Sequence, residues 1–250
     1  FHFGTQEYNI IGMISHLGPQ LGVADGIALA NKLKDNKKTT AVFTGDGGAS
    51  EGDFHEALNV AAVWDLPVIF AIENNCWGLS TPSAEQFKCD QFIDKGIGYG
   101  MKAVQVNGNN ILEVISTVRA LAEEMRKDPK PVLLEFMTFR MRGHEEASGT
   151  KYYPEGIQDE WEEYDPLKNY AEYLKLQGIL TDEVEEVYRQ GIKKEIQDGL
   201  DIAYTEDDII PNPLEEVKDL FAEHNQVVEV VSGAKSERRF IDAIQDGLRQ

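Results

Sequence analysis

Two apolar, β-branched runs that end in polar corners constrain this chain more than any other feature. Thr39 to Thr44 (TTAVFT) leads into Gly45-Asp46-Gly47-Gly48, and Pro67 to Ile72 (PVIFAI) leads into Asn74-Asn75, with 26 residues between Gly47 and Asn74. Short apolar runs bounded by glycine or asparagine read as buried strands, and the helix-like run from Ser50 to Val63 between them makes a strand-helix-strand unit. Such a unit forces the two strands to lie parallel, so both polar corners fall at the same, C-terminal, end of one sheet.

The residue types at those corners suit an anion and a hard cation. Gly45, Gly47 and Gly48 let backbone N–H groups approach a diphosphate closely, and the N-terminus of the following helix adds a favourable dipole. Magnesium takes near-octahedral oxygen coordination and combines one or two protein groups with phosphate oxygens and water. The Asp46 carboxylate and the Asn75 amide oxygen fit as its side-chain ligands. A Gly-Asp-Gly and an Asn pair at this spacing are the signature of a thiamin diphosphate site.

The rest of the chain continues the alternation. A short strand over Ala103 to Val106, a helix from Ile111 to Arg126 and a strand from Val132 to Met137 predict an α/β fold, a doubly wound parallel sheet with flanking helices. Thr138 to Pro154 has no period and holds Gly143, Gly149 and Pro154, so it reads as an active-site loop. Helices dominate from about Asp165 to Ala203, and a Pro211-Asn212-Pro213 break precedes another short helix in this helical C-terminal part. The expected organisation is a main domain over 1–222, a linker over 223–237 and the start of a further domain over 238–250.

Composition narrows the function classes. A chain of 250 residues, 42% apolar and 27% charged, has ordinary globular usage and length enough for one large core. No apolar run approaches membrane-spanning length, and no basic segment followed by an apolar stretch reads as a signal peptide. The net charge of −20 excludes nucleic acid and anionic membranes as expected partners. Much of that charge lies between Glu155 and Glu223, where 21 acidic residues face 6 basic ones. A solvated helix face explains this run, with docking to a basic partner as the sharper alternative. Cys76 and Cys89 lack metal spacing, which fits a reducing compartment.

Around the corner motif, GDGGASEGDFHEALNVAAVWDLPVIFAIENNCWGLST resembles, almost continuously, the α subunit of the thiamin-dependent decarboxylase component of 2-oxo acid dehydrogenase complexes. Upstream, SHLGPQLGVADGIALA is similar to the family segment that contacts the thiazolium and aminopyrimidine. Downstream, FRMRGHEEASG resembles the loop that carries a functional histidine. The likeness covers roughly residues 1–222, and RRFIDAIQDGLRQ at the end resembles the opening helix of the family's β subunit. Relatives carry a further segment ahead of the pattern, so the chain reads as an internal piece of a fused α–β polypeptide.

The resemblance implies a thiamin diphosphate-binding fold, with thiamin diphosphate and Mg2+ as cofactors. Asp46, Asn75 and the main-chain carbonyl of Trp77 become the metal ligands, and Gly45, Gly47 and Gly48 line the diphosphate. Ser15 and Leu17 contact the cofactor, with Leu17 helping to hold it bent. His144 is the loop histidine, touching the diphosphate or moving protons during acyl transfer. The implied reaction is oxidative decarboxylation of a 2-oxo acid with transfer of the acyl group to a lipoyl domain of the acyltransferase, in an oligomer with a β-subunit-like partner. The family's activating glutamate belongs to that β subunit, so residues 1–250 alone are expected not to turn over. A bacterial cytoplasm is the expected location, or the mitochondrial matrix where a transit peptide precedes the chain.

The pattern departs from the family in places. His16 stands where branched-chain members carry proline beside the serine, the loop has one histidine where many relatives have two, and Glu145 replaces the regulatory serine of animal relatives, which argues against phosphorylation there. The Ser15-His16-Leu17 segment favours branched-chain 2-oxo acids, with pyruvate and acetoin as alternatives; a cofactor-binding piece without activity of its own is the non-enzymatic reading. Gly48-Ala49-Ser50-Glu51-Gly52 also matches the G-x-S-x-G elbow of α/β hydrolases, but Ser50 lies too far past its strand, and Ser50 with Asp53 reads as a helix capping box. His55-Glu56 lacks the second histidine of H-E-x-x-H.

Overall fold

A computed structural model describes residues 4–12, 17–145, 147–208, 210–220 and 237–249. Helix α1 (Pro19–Leu33) precedes strand β1 (Thr40–Gly45), a 3-10 turn over Gly48–Ser50 and helix α2 (Gly52–Val63). Strand β2 (Val68–Asn74) runs into a two-stranded ribbon, β3 (Trp77–Gly78) and β4 (Thr81–Pro82). The short helices α3 (Ser83–Gln86) and α4 (Ile93–Gly98) lead to β5 (Lys102–Asn107), α5 (Ile111–Lys127) and β6 (Val132–Met137). After the loop come α6 (Ile157–Glu162), α7 (Pro166–Leu176), α8 (Asp182–Ala203), α9 (Pro213–Glu216) and α10 (Phe240–Gly247). The chain divides into two compact units, 1–186 and 187–250, and every site residue discussed below lies in the first.

The sheet has the order β1-β2-β6-β5, all parallel. The chain leaves β2, passes over one strand position to form β5, and returns through α5 to fill the gap with β6. Phe70, Ile72 and Leu133 from one face pack with Leu21 and Ala28 of α1, Phe54 and Leu58 of α2, and Phe92 beside α4. Ile69, Val132 and Leu134 from the other face pack with Leu121 and Met125 of α5. Strands covered on both faces have no polar alternation, and Val68 to Ile72 of β2 and Val132 to Leu134 of β6 read as apolar runs for that reason. Burying the side chains of Phe54, Leu58, Phe70 and Leu133, each fully enclosed, contributes about 1.5–3 kcal/mol apiece.

Helix α5 starts at a true cap, with Asn110 Oδ1 accepting from the amides of Leu112 and Glu113 at 3.2 and 3.4 Å. Helix α2 does not. The capping box expected from Ser50 and Asp53 is not formed: α2 opens at Gly52 with Glu51 extended at its N-cap and no side-chain cap. The 3-10 turn intervenes, Ser50 turns its hydroxyl towards Gln86 Oε1 at 3.5 Å, and Asp53 packs against Gly18. Helix α6 falls just beyond the expected loop, masked in the sequence by the Pro154 and Gly156 that flank its start. The connector expected over 223–237 lies, except for Glu237, outside the described residues.

Candidate functional site

The register of the sheet builds the site. Gly45 pairs with Glu73 across β1 and β2, so Asp46 and the Asn74-Asn75 pair leave neighbouring strands at the same level. Asp46 is 1% exposed, and its Oδ2 accepts from Ser83 Oγ at 2.7 Å. No lysine or arginine forms an ion pair with it among the described residues. An ionised carboxylate out of water without a counter-charge is costly, several kcal/mol, which makes this corner receptive to a cation. Among the described residues no group of three or more His, Cys, Asp or Glu side chains could hold a metal. A cation at this corner would have to combine Asp46 with neutral oxygens.

Neutral oxygens stand at the second corner. Asn74 Oδ1 accepts from the Cys76 amide at 2.9 Å, and Asn75 Oδ1 accepts from the Trp77 amide at 3.0 Å, so two consecutive Asx turns fold the chain back after β2. Cys76 takes a left-handed conformation, φ 65°, to complete the reversal. Burial raises the Cys76 thiol above its ordinary pKa, and the neighbouring carboxylates of Asp46 and Glu135 push it further in the same direction. In the ribbon, Trp77 lies opposite Pro82 in a pair flanked by the bond from the Ser83 amide to the Cys76 carbonyl at 2.9 Å, so the Trp77 carbonyl points out of the ribbon.

The Gly-rich turn and the ribbon are in contact. A Cβ on Gly47 would lie 2.9 Å from Gly78 Cα, and one on Gly48 would lie 2.4 Å from Thr44 Oγ1. A side chain at Gly47 would push the ribbon away and one at Gly48 would collide with the Thr44 hydroxyl of β1, so the bare backbone at Gly47 is what allows the two corners to approach. Gln86 ties the parts together, donating to Thr81 O at 3.0 Å beside Ser50. Behind the turn, Lys95 Nζ donates to Ala49 O at 3.2 Å and lies 4.7–5.4 Å from the ring centres of Phe54, Phe87 and Phe92. Burial among those rings lowers its pKa below the usual lysine value.

The loop after β6 is fastened over the ribbon. Arg140 donates to Leu79 O at 2.8 Å and to Tyr152 Oη at 3.0 Å, and its Nη1 faces His144 Nδ1 at 3.3 Å. A guanidinium only donates, so a hydrogen bond here takes the Nδ1 lone pair and leaves the ring N–H on Nε2. Trp77 packs on Tyr152 and Tyr153, and Phe139 stacks on Trp161 at 5.4 Å. Tyr153 donates to Arg140 O at 2.9 Å; burial first, then its Tyr152 neighbour, push its phenol up to about 12.

Asp46, Gly47, Gly48, Asn75 and Trp77 thus meet at one corner, and His144 is linked to it through Arg140 and Leu79. Gly45 ends β1 directly beneath. Leu17 stands apart, 64% exposed just before α1 and in neither buried cluster. Ser15 lies outside the described residues. Ser83, Gln86, Lys95, Glu135, Arg140 and the Tyr152-Tyr153 pair escaped sequence reasoning; only the Leu79-Ser80-Thr81 end of the corner motif pointed near Ser83. The hydrolase elbow is not assembled: the two described histidines, His55 and His144, face Tyr99 and Arg140.

Comparisons with known proteins bear on the family of the chain. A family model described as dehydrogenase E1 component matches residues 1–212. The α subunit 2 of mitochondrial 2-oxoisovalerate dehydrogenase from Arabidopsis thaliana is 33% identical over 222 residues, 88% of this chain and 47% of that protein. The 2-oxoisovalerate dehydrogenase subunit alpha of Bacillus subtilis is 37% identical over 203 residues, 81% of this chain and 62% of that protein. The pyruvate dehydrogenase E1 component subunit alpha of Bacillus cereus is 33% identical over 186 residues, 74% of this chain and 50% of that protein. The chain spans about half the length of the curated relatives it matches. With the match running from the start of the chain through α8, this protein belongs to the dehydrogenase E1 component family, among relatives that are α subunits of 2-oxo acid dehydrogenases.

Proposed function

We propose that this chain is the α-like part of a thiamin diphosphate- and magnesium-dependent 2-oxo acid dehydrogenase with a branched-chain 2-oxo acid as substrate. The observation that carries the reading is Asp46, a buried carboxylate without a cationic partner, set at a parallel-sheet corner beside Asn75 and bare Gly47. Its fit to a magnesium-bound diphosphate is chemical: one charged oxygen, an amide oxygen, a carbonyl that points out of the ribbon, and a glycine turn for the anion. Similarity to 2-oxoisovalerate dehydrogenase α subunits favours the branched-chain substrate, and likeness to a pyruvate dehydrogenase α subunit keeps pyruvate as the second reading.

In this reading Asp46 and Asn75 hold the metal by their side chains and Trp77 by its carbonyl, while the Gly45–Gly48 backbone lines the diphosphate. Ser83 orients Asp46 by fixing one of its two oxygens. When bound, thiamin diphosphate supplies the electron sink that lets a 2-oxo acid lose carbon dioxide and the carrier from which the acyl group leaves for a lipoyl group. His144 Nε2–H, with Nδ1 held towards Arg140, would donate a hydrogen bond to a phosphate oxygen or to the departing sulfur. The aromatic cluster on Trp77 keeps the loop seated and limits water at the corner. Ser15 and Leu17 contact the organic part of the cofactor, and a β-subunit-like domain, fused or separate, completes the site. The setting is a bacterial cytoplasm, or a mitochondrial matrix where a transit peptide precedes the chain.

The test is ferricyanide-linked oxidation by the whole open reading frame with its β-like partner, thiamin diphosphate and magnesium. Turnover of 3-methyl-2-oxobutanoate, lost in Asp46→Ala, is the expected result. Turnover of pyruvate alone would replace the substrate assignment, and no turnover of either or of acetoin would overturn the dehydrogenase reading.

A further inference from the structure

We infer that Glu135 is the positioning residue that sets the Asn74–Trp77 corner, and through it the geometry offered to the metal; this rests on the magnesium site proposed above. Glu135 sits in β6, 0% exposed, on the sheet face covered by α1, α2 and α4. A carboxylate so placed must spend its lone pairs on donors. Oε1 accepts from Asn74 Nδ2 at 2.7 Å, and Oε2 accepts from Gln105 Nε2 at 3.1 Å and from the Ile93 amide at 3.4 Å. No cation pairs with it among the described residues.

The consequence runs through Asn74. Its amide nitrogen is held by Glu135, which obliges its oxygen to face the other way, and there it accepts the Cys76 amide. With the group reversed, an N–H would confront the Cys76 N–H and the turn would open. The orientation of one buried side chain therefore decides whether the chain reverses at Cys76, and the reversal carries Asn75 Oδ1 and the Trp77 carbonyl to the Asp46 side. The hydrogen-bond partners of Glu135 are Asn74, Ile93 and Gln105 and none of the proposed ligands, so it acts through Asn74. Within a strand reading VLLEFM it would pass for an ordinary polar position, and only the crossing of β5, β6 and α4 surrounds it with donors.

The test compares Glu135→Gln with Gln105→Ala in the intact protein, using two readouts. The first is amide hydrogen exchange at Cys76 and Trp77 without cofactor. The second is the magnesium dependence of thiamin diphosphate binding, followed by tryptophan fluorescence. Glu135→Gln turns an acceptor into a donor opposite the Ile93 amide or Asn74, and should speed exchange at both amides and weaken magnesium about 10-fold or more. Gln105→Ala removes only the exposed partner and should leave both unchanged. Where Glu135→Gln does not fold, Glu135→Asp replaces it, keeping the acceptor charge but falling short of Asn74, with the same expected direction. Unchanged exchange in the Glu135 variant overturns the inference, as does faster exchange with unaltered magnesium affinity, or equal effects from Gln105→Ala. A wild-type protein that binds no magnesium refutes the metal site itself, and Glu135 is then judged on exchange alone: faster exchange upholds its hold on the corner and unchanged exchange refutes it.

Discussion

Replacing Asp25 by asparagine should stabilise the protein at and above neutral pH while leaving it nearly unchanged in mild acid. Asp25 lies on α1, 6% exposed, in a groove lined by Gly22, Gly26, Asp53, Glu56 and Trp64, and its Oδ1 has no hydrogen-bond partner. Burial pushes its carboxyl from the ordinary 3.8 up to about 7. The unfolded chain releases this proton near pH 4, whereas the folded chain keeps it until about pH 7, so folding is progressively disfavoured between those values. Stability from this group is intact below about pH 4, is lost as pH rises, and the loss levels off above about pH 7. At about 1.4 kcal/mol for each pH unit of separation, the full penalty is about 4 kcal/mol. Asparagine at this position has the same shape and no charge to bury, so urea unfolding of Asp25→Asn and wild type at about pH 4, 6 and 8 should show a gap that opens with pH. A gap independent of pH, or one that closes as pH rises, would refute the reasoning, because it would mean that Asp25 is solvated or paired.

Three further outcomes concern the corner. Asp46→Asn removes an uncompensated buried charge, so without magnesium it should unfold in urea about 1–3 kcal/mol later than wild type, and magnesium with thiamin diphosphate should no longer stabilise it. Gly47→Ala sets a methyl 2.9 Å from Gly78 Cα, and calorimetry should find it destabilised by about 1–3 kcal/mol with weakened cofactor binding. Ser83→Ala frees Asp46 Oδ2 to rotate, and titration should show magnesium bound about 10-fold more weakly with little change in fold stability.

Strand and helix identities in the first unit were legible because their causes are local. The β-branched runs at β1 and β2, the period of α5 and the apolar run of β6 each carry their own signal, and the structure matches them to within a residue or two. The Gly-Asp-Gly and Asn-Asn corners were legible for a similar reason: a parallel crossover forces their ends together whatever else the chain does. Local signals misled where a distant group competed. Ser50 and Asp53 have the spacing of a capping box, yet Gln86 and Gly18 take their side chains.

What only the tertiary structure decided is which residues serve the corner from outside it. Ser83 lies 37 positions from Asp46, and Glu135 lies 61 from Asn74, and nothing in either neighbourhood marks it out. Strand order did that work, since filling the gap between β2 and β5 with β6 brings Glu135 among donors from three elements. Arg140, with His144 against it, meets Leu79 only because aromatic packing on Trp77 folds the loop back over the ribbon. Periodicity and turn chemistry act over a few residues and are written in the order of the chain, whereas hydrogen bonds to a buried carboxylate depend on which segments the closing of the core makes neighbours.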